Sequence, residues 1–279
     1  MRKKAILLSA VLTSLFGAGF LGYKHAKAQD QELSPEEEIR LVQEFNRMMA
    51  EGINPGEIWA EMGKEAFKKY NLDKCDFGLG PGKIEGALAQ LPRYFPDAKK
   101  VMDLETRIGW CLQQYAGMKP EEVKKFVKQC WGKSQCMGEY DAIVMYISMA
   151  SNGHKINVNL KDPQVKKMYD IGKRIYYARI GPWDFNCATC HAGQREARIR
   201  ATLLWSADRP GEAGKAVSIF PKYLVRWAQP MTMHYRYAEC IRQMRWPTFE
   251  PHSDLAVALS TFLYATGNGT EIKVPGIGR

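Results

Sequence analysis

A pair of cysteines three residues apart, with a histidine directly after the second, constrains this chain more than any other feature: Cys187-Ala188-Thr189-Cys190-His191. Two thiols at that spacing can add across the vinyl groups of a porphyrin, and the adjoining imidazole is then held where it can ligate the iron on one face. In a reducing compartment a lone Cys-x-x-Cys more often means a disulfide or zinc, so the compartment decides the meaning. Residues 1–28 settle it. Arg2, Lys3 and Lys4 precede an apolar run from Ala5 to Gly22, and Ala26-Lys27-Ala28 offers a small-x-small cleavage site, the layout of a secretory signal peptide. An uncleaved anchor is the rival for a run of this length, and the cleavage site favours removal. No later stretch is apolar enough over a bilayer's width. The expected mature chain is a periplasmic protein with one covalent haem c and no stable membrane insertion.

Much of the formal charge of +10 belongs to that signal, which holds five basic residues and no acidic one. The mature chain keeps 35 basic against 30 acidic residues, a net +5. So mild an excess suits an anionic small substrate or an acidic partner. No Lys/Arg-rich block points to nucleic acid, and there is no Gly-rich nucleotide loop or nucleophile elbow.

The fold class is mainly α. Helical spacing and start signals occur over Pro35–Ala50, Pro55–Tyr70, Asp97–Tyr115, Pro120–Cys130, Tyr140–Ser151, Pro163–Arg179, Tyr235–Met244 and Ser253–Thr266. Gly/Pro-rich connections such as Gly78–Gly82 and Asp208–Gly211 join them. The two halves read as divergent copies. Met102, Arg107 and Cys111 recur at identical spacing as Met231, Arg236 and Cys240; Gly63-Lys64 answers to Gly172-Lys173, and Asn152-Gly153 to Asn268-Gly269. The expected organisation is two cytochrome c-like domains in tandem, 29–155 and 156–279, of which the first lacks its haem, because Cys75 takes the place of Cys187 with no second cysteine or histidine behind it.

Seven cysteines then divide unevenly. Cys187 and Cys190 hold the haem. Cys75, Cys111, Cys130 and Cys136 permit three connectivities, and the repeat favours Cys75–Cys111 with Cys130–Cys136. Cys240 is left over, 49 residues after His191, where small c-type cytochromes place the second axial ligand. Met231, Met233 and Met244 lie close by as ordinary alternatives, and the repeat favours Cys240. Arg236, four residues earlier, shares a helical face with Cys240 and could hold an oxyanion or, more plainly, a haem propionate. His234 and His252 read as surface or loop histidines, and Tyr235, Tyr237 and Trp246 as haem-packing residues.

At this point the chain resembles the SoxA family, the catalytic cytochrome subunits of SoxAX complexes. The resemblance rests on Cys75–Gly82, Leu91–Phe95, Asp103–Arg107, Asp184–His191, Arg236 with Cys240, and the Pro275-Gly276 tail, and it covers nearly the whole mature chain. It implies an L-cysteine S-thiosulfotransferase that couples thiosulfate oxidatively to a cysteine of the carrier SoxYZ, with a SoxX cytochrome as heterodimer partner. It also implies that Cys187 and Cys190 attach the haem, that His191 and Cys240 ligate the iron, that Cys240 is the catalytic thiol, found in the family as a persulfide, and that Arg236 binds substrate. A plain electron carrier with a methionine on iron and a thiosulfate dehydrogenase forming tetrathionate are the competing functions.

With a single attachment motif, the mature chain should carry one covalent haem. A pyridine haemochrome assay on the purified chain checks this, and two haems per chain would remove the expectation of an empty first half.

Overall fold

The computed structural model describes residues 34–133, 135–192, 197–199, 202–247 and 249–278; the segment read as a signal peptide lies outside them. Helix α1 (Pro35–Ala50) is followed by α2 (Pro55–Lys69), started by Asn54, whose side chain accepts the Gly56 N–H at 2.8 Å. A hairpin of β1 (Arg93–Phe95) and β2 (Lys100–Met102) leads into α3 (Leu104–Tyr115), and α4 (Pro120–Val127) and α5 (Glu139–Met149) follow. The order then recurs with additions. After α6 (Pro163–Tyr177) come the short α7 (Cys187–His191), a hairpin of β3 (Ala197–Ile199) and β4 (Thr202–Leu204), and α8 (Pro210–Val217). A second hairpin, β5 (Lys222–Leu224) with β6 (Gln229–Met231), leads into α9 (Met233–Gln243), and α10 (Asp254–Thr266) precedes β7 (Gly276–Gly278), which pairs in parallel with β5. Among the described residues no helix is long and apolar enough to cross a membrane.

Two helix crossings organise these elements, and each is built on a glycine. α2 packs on α5 and α6 on α10. A Cβ on Gly63 would run into the carbonyl oxygen of Ala142, and one on Gly172 into that of Ala258. Only glycine lets the backbones come that close. The Gly63 and Gly172 matches of the repeat thus mark one contact made twice. The Asn-Gly matches also have a physical content. Asn152 binds both polar backbone groups of Val274, at 2.7 Å each, and Asn268 binds those of Val158, at 2.8 and 3.0 Å. Asn152 of the first half thus holds the second half's closing segment, and Asn268 holds the segment just past the boundary between the halves. One continuous cluster of buried apolar side chains draws on both halves, from Trp59 to Val274. Disulfides join Cys75 to Cys111 inside this cluster and Cys130 to Cys136 nearer the surface.

Three sequence expectations need correction. The helix read from Asp97 begins at Leu104, because 93–102 forms a hairpin that turns at Lys99 (φ 52°) and because Asp103 is the cap, accepting the Thr106 N–H at 2.9 Å. Asp208–Gly211 is not all connection: Pro210 and Gly211 open α8, where proline's missing N–H is no loss. His234 is not at the surface but fully buried (0% exposed), and His252, in a loop, has its Nε2 2.8 Å from the Tyr140 hydroxyl.

His234 sits between two carboxylates at the start of α3. Its Nε2 donates to Asp103 at 2.7 Å, its backbone N–H donates to Glu105 at 2.9 Å, and Nδ1 lies 3.8 Å from the other Glu105 oxygen. Burial alone would depress the imidazole's pKa; Asp103 and Glu105 outweigh it and raise it to about 9. The His252 N–H, 3.3 Å from Nδ1, favours the neutral ring, but one long dipole is weaker than two nearby carboxylates. The imidazolium in turn holds Asp103 well below the usual carboxylate range against its own burial, whereas burial pushes Glu105 up. Since the folded pKa of His234 is raised, its contribution is complete below the ordinary imidazole pKa of 6.5 and fades as pH rises through about 9. Urea unfolding of the wild type between pH 7 and 10 should lose stability on the order of 3 kcal/mol that His234→Gln does not lose over the same range.

Candidate active site

α7 has only five residues and needs outside help to form. Asn186 supplies a reciprocal cap: its side chain accepts the Thr189 N–H at 2.7 Å, and its own N–H donates to the Thr189 hydroxyl at 3.2 Å. The Asn186 amide also donates to the Tyr177 carbonyl at 2.8 Å, tying α7 to the end of α6. At the other end the His191 carbonyl accepts from the Tyr176 hydroxyl at 2.5 Å and from the Ala207 N–H at 2.8 Å. His191 Nδ1 faces the Trp205 carbonyl at 3.1 Å. A carbonyl can only accept, so Nδ1 carries the hydrogen and Nε2 keeps its lone pair, as a metal-ligating histidine requires. Burial lowers the His191 pKa, with Arg236 and Lys222 pushing the same way against the Trp205 carbonyl, so the ring is neutral at neutral pH.

Cys240 comes to this motif from α9. Thr232 starts that helix by accepting the Tyr235 N–H at 3.4 Å, and the i, i+4 spacing puts Arg236 and Cys240 on one face, where the guanidinium charge acts on the sulfur. The charge of Cys240 is felt at Cys187, and that of Cys190 at Cys240. The three sulfurs lie within electrostatic reach of one another, all unbridged and half-buried. Burial raises the Cys240 thiol, and Arg236 offsets part of the rise; burial pushes Cys187 to about 12. The alternative methionines are all buried, and Cys187 packs against the main core as well. Met231 packs with Leu224 and Tyr235, while Met233 and Met244 belong to the main core.

Other expected roles change as well. Tyr235 stacks between Trp131 and Trp227, and Tyr237 packs on His234 and Phe249. Trp246 instead anchors the motif's loop, its indole N–H donating to the Phe185 carbonyl at 2.9 Å. Arg242 pairs with Glu239 at 2.9 Å, and Arg245 lies over the Trp183 ring. The residue that sequence reading missed is Lys222. Its amine is drawn down to about 8, by burial first and by Arg236 second, while Cys240 opposes the shift. The repeat held a signal for it: Lys222 pairs with Met231 across its hairpin as Arg93 pairs with Met102.

The same positions carry opposite chemistry in the two halves. Arg107 is buried and its charge is paired, with two bonds to Asp97 at 2.7 and 3.0 Å, one to the Asp76 carbonyl at 2.8 Å, and the Phe95 and Trp110 rings against its guanidinium. Arg236 has no carboxylate partner among the described residues, so its charge is available to an anion. Cys111 is locked to Cys75; Cys240 is free beside Cys187. Two unbridged thiols three residues apart and an imidazole with Nδ1 engaged are the donor set that haem c requires, and Cys240 adds a sulfur close by.

Residues 56–156, the half without the attachment motif, match the family model described as SoxA/TsdA, cytochrome c domain. An L-cysteine S-thiosulfotransferase subunit SoxA from Hydrogenophilus thermoluteolus is 40% identical over 249 residues, which are 86% of this chain and 88% of the relative. Another, from Hydrogenobacter thermophilus, is 31% identical over 94% of this chain and 96% of its own. The crystal structure of SoxXA from P. pantotrophus shares the fold with a TM-score of 0.63, at 23% identity over 85% of this chain and 84% of that one.

Asn186→Ala should remove the cap on α7 and cost about 1 kcal/mol of stability. Because attachment needs the two thiols presented together, the haem-to-protein ratio should fall with it. Absorbance at the haem band against total protein, with a thermal melt, checks both.

Proposed function

This chain belongs to the SoxA family, and on that premise we propose that it is the catalytic cytochrome subunit of a periplasmic SoxAX complex, an L-cysteine S-thiosulfotransferase. The reaction joins thiosulfate to a cysteine of the SoxYZ carrier as a thiosulfonate conjugate, releasing one proton from the thiol and two electrons. Residues 29–155 are taken as a cytochrome c-like domain without haem and 156–279 as the haem domain, in keeping with the family match over 56–156. The observation that carries this reading is the contrast between Arg236 with Cys240, whose charge and sulfur are free, and Arg107 with Cys111, which are locked.

Cys187 and Cys190 would attach the haem, His191 would ligate it through Nε2, and Cys240 would be the second ligand. Haem c bound here supplies a one-electron acceptor beside the sulfur, and because the coupling releases two electrons, the SoxX cytochrome takes up the other. Arg236 docks the thiosulfate sulfonate by charge-assisted hydrogen bonds and so presents its outer sulfur to the sulfur carried on Cys240. The S–S bond forms with loss of two electrons. The carrier thiolate then attacks that bond, takes the sulfur–sulfonate group and leaves the Cys240 sulfur as it began.

Two variants test these roles with SoxYZ, thiosulfate and an electron acceptor. Cys240→Met should keep haem attachment, shift the haem spectrum and abolish conjugation. Arg236→Ala should leave the spectrum unchanged and lower kcat/KM at least about tenfold, the loss of a hydrogen bond to a charged group worth about 1.5–3 kcal/mol. Arg236→Lys should recover only part, since a point charge cannot dock a sulfonate bidentately. Conjugation at the wild-type rate by Cys240→Met would leave the electron-carrier function in its place, and tetrathionate formed without SoxYZ would mark a dehydrogenase.

A further inference from the structure

The half without an attachment motif grips α9 at two consecutive residues just before Arg236. The His234 ring is held by Asp103, the cap of α3, at 2.7 Å, and its backbone N–H by Glu105, in that helix's first turn, at 2.9 Å. Tyr235 is held on a different side. Its ring stacks on Trp131 (centroids 5.1 Å apart, planes 9° apart), and its hydroxyl accepts the Gly132 N–H at 2.6 Å. Trp131 and Gly132 lie in the loop closed by Cys130–Cys136, which is itself fastened to the β5–β6 hairpin: the Gln135 N–H donates to the Trp227 carbonyl at 2.7 Å, and the Cys136 N–H to the buried Gln229 side chain at 3.1 Å.

Helix geometry gives this grip a direction. Successive residues turn by roughly 100° about the axis. Taking His234 as zero, Tyr235 stands near 100°, Arg236 near 200° and Cys240 near 240°. The gripped face, centred near 50°, is almost diametrically opposite the face that carries Arg236 and Cys240. Holding it fixes the helix's rotation, and a turn of only about 12° would move a sulfur about 5 Å from the axis by about 1 Å. A displacement of that size at reacting atoms can cost on the order of a hundredfold in rate.

We propose that the half without the attachment motif serves the reaction by holding α9 in rotation, and that His234, clamped by Asp103 and Glu105, is the positioning residue for Arg236 and Cys240. The inference rests on Cys240 as ligand and catalytic thiol. It gives the N-terminal half, the Cys130–Cys136 loop and the buried carboxylates one shared task. His234 itself touches no substrate.

The test uses the mature chain in complex with its partner cytochrome, as wild type, His234→Leu, His234→Gln and Asp103→Asn. Ferric-haem electron paramagnetic resonance reads how the sulfur meets the iron, and conjugation kinetics read kcat. With the partner's signal assigned from the isolated partner cytochrome, His234→Leu should keep one haem per chain, replace this chain's single low-spin signal by two or more, and lower kcat about tenfold or further. His234→Gln, whose amide can still donate to Asp103, should return to one signal and to within about threefold of the wild-type kcat. A His234→Leu protein with the wild-type signal and kcat overturns the proposal, whatever its melting temperature. If that variant does not fold, Asp103→Asn decides, because asparagine preserves the cap of α3 while removing the charge that clamps His234. Split signals with lowered kcat support the proposal; an unchanged signal and kcat overturn it. A wild type that fails to conjugate thiosulfate would instead remove the functional premise, and the resonance comparison would still show whether His234 sets the sulfur's position.

Discussion

Backbone against backbone at a glycine is the contact on which the other distances in this protein depend. Where α2 crosses α5 and α6 crosses α10, Gly63 and Gly172 each face a carbonyl oxygen with no room for a methyl group between them. An alanine at either place would gain helix propensity, worth up to about 1 kcal/mol, and lose more by forcing apart helices packed along their length. Both crossings feed the main buried cluster and set where the hairpins and α3 or α9 can lie against it. Beyond these pairs Asn152 fastens the second half's tail to the first, and Asn268 fastens the segment that enters the second half.

On that shared frame the halves diverge through a handful of side chains. In the first, Cys111 finds Cys75 and Arg107 finds Asp97, so sulfur and guanidinium are both consumed by structure. In the second, Cys240 and Arg236 occupy the matching positions, and no carboxylate neutralises the arginine among the described residues. A buried sulfur beside uncompensated positive charge is costly to maintain and useful for binding an anion. Locked and unbridged side chains are thereby separated by half, while the bond from Asp103 to His234 and the stack of Trp131 on Tyr235 tie the two halves together.

How much could be read beforehand follows from the range of each signal. Eight helices were legible because each has a local apolar period and most have a cap or an N-terminal proline; the start of α3 was misplaced because Asp97 and Asp103 are both plausible caps, and only the hairpin between them decides. The three-residue strands were invisible, since so short a strand has no period of its own. His234 looked like a surface histidine because nothing near it in sequence is acidic until Glu239; its partners, Asp103 and Glu105, come from 131 and 129 residues away. Lys222 went unnoticed for a similar reason, as a lysine's burial depends on what folds over it.

The sequence by itself determined the attachment motif, the mainly helical class, the unequal division of seven cysteines and the paired spacing of Arg236 with Cys240, because each is written in residues close together or in a repeated interval. Only the tertiary structure decided that His234 is buried between Asp103 and Glu105, that Lys222 is drawn down beside Arg236, and that α9 is gripped on the face opposite its thiol. Those outcomes depend on which side of a helix faces a partner distant in sequence. Helix period fixes the angles between side chains, but the orientation of the whole set comes from the surfaces that pack against it.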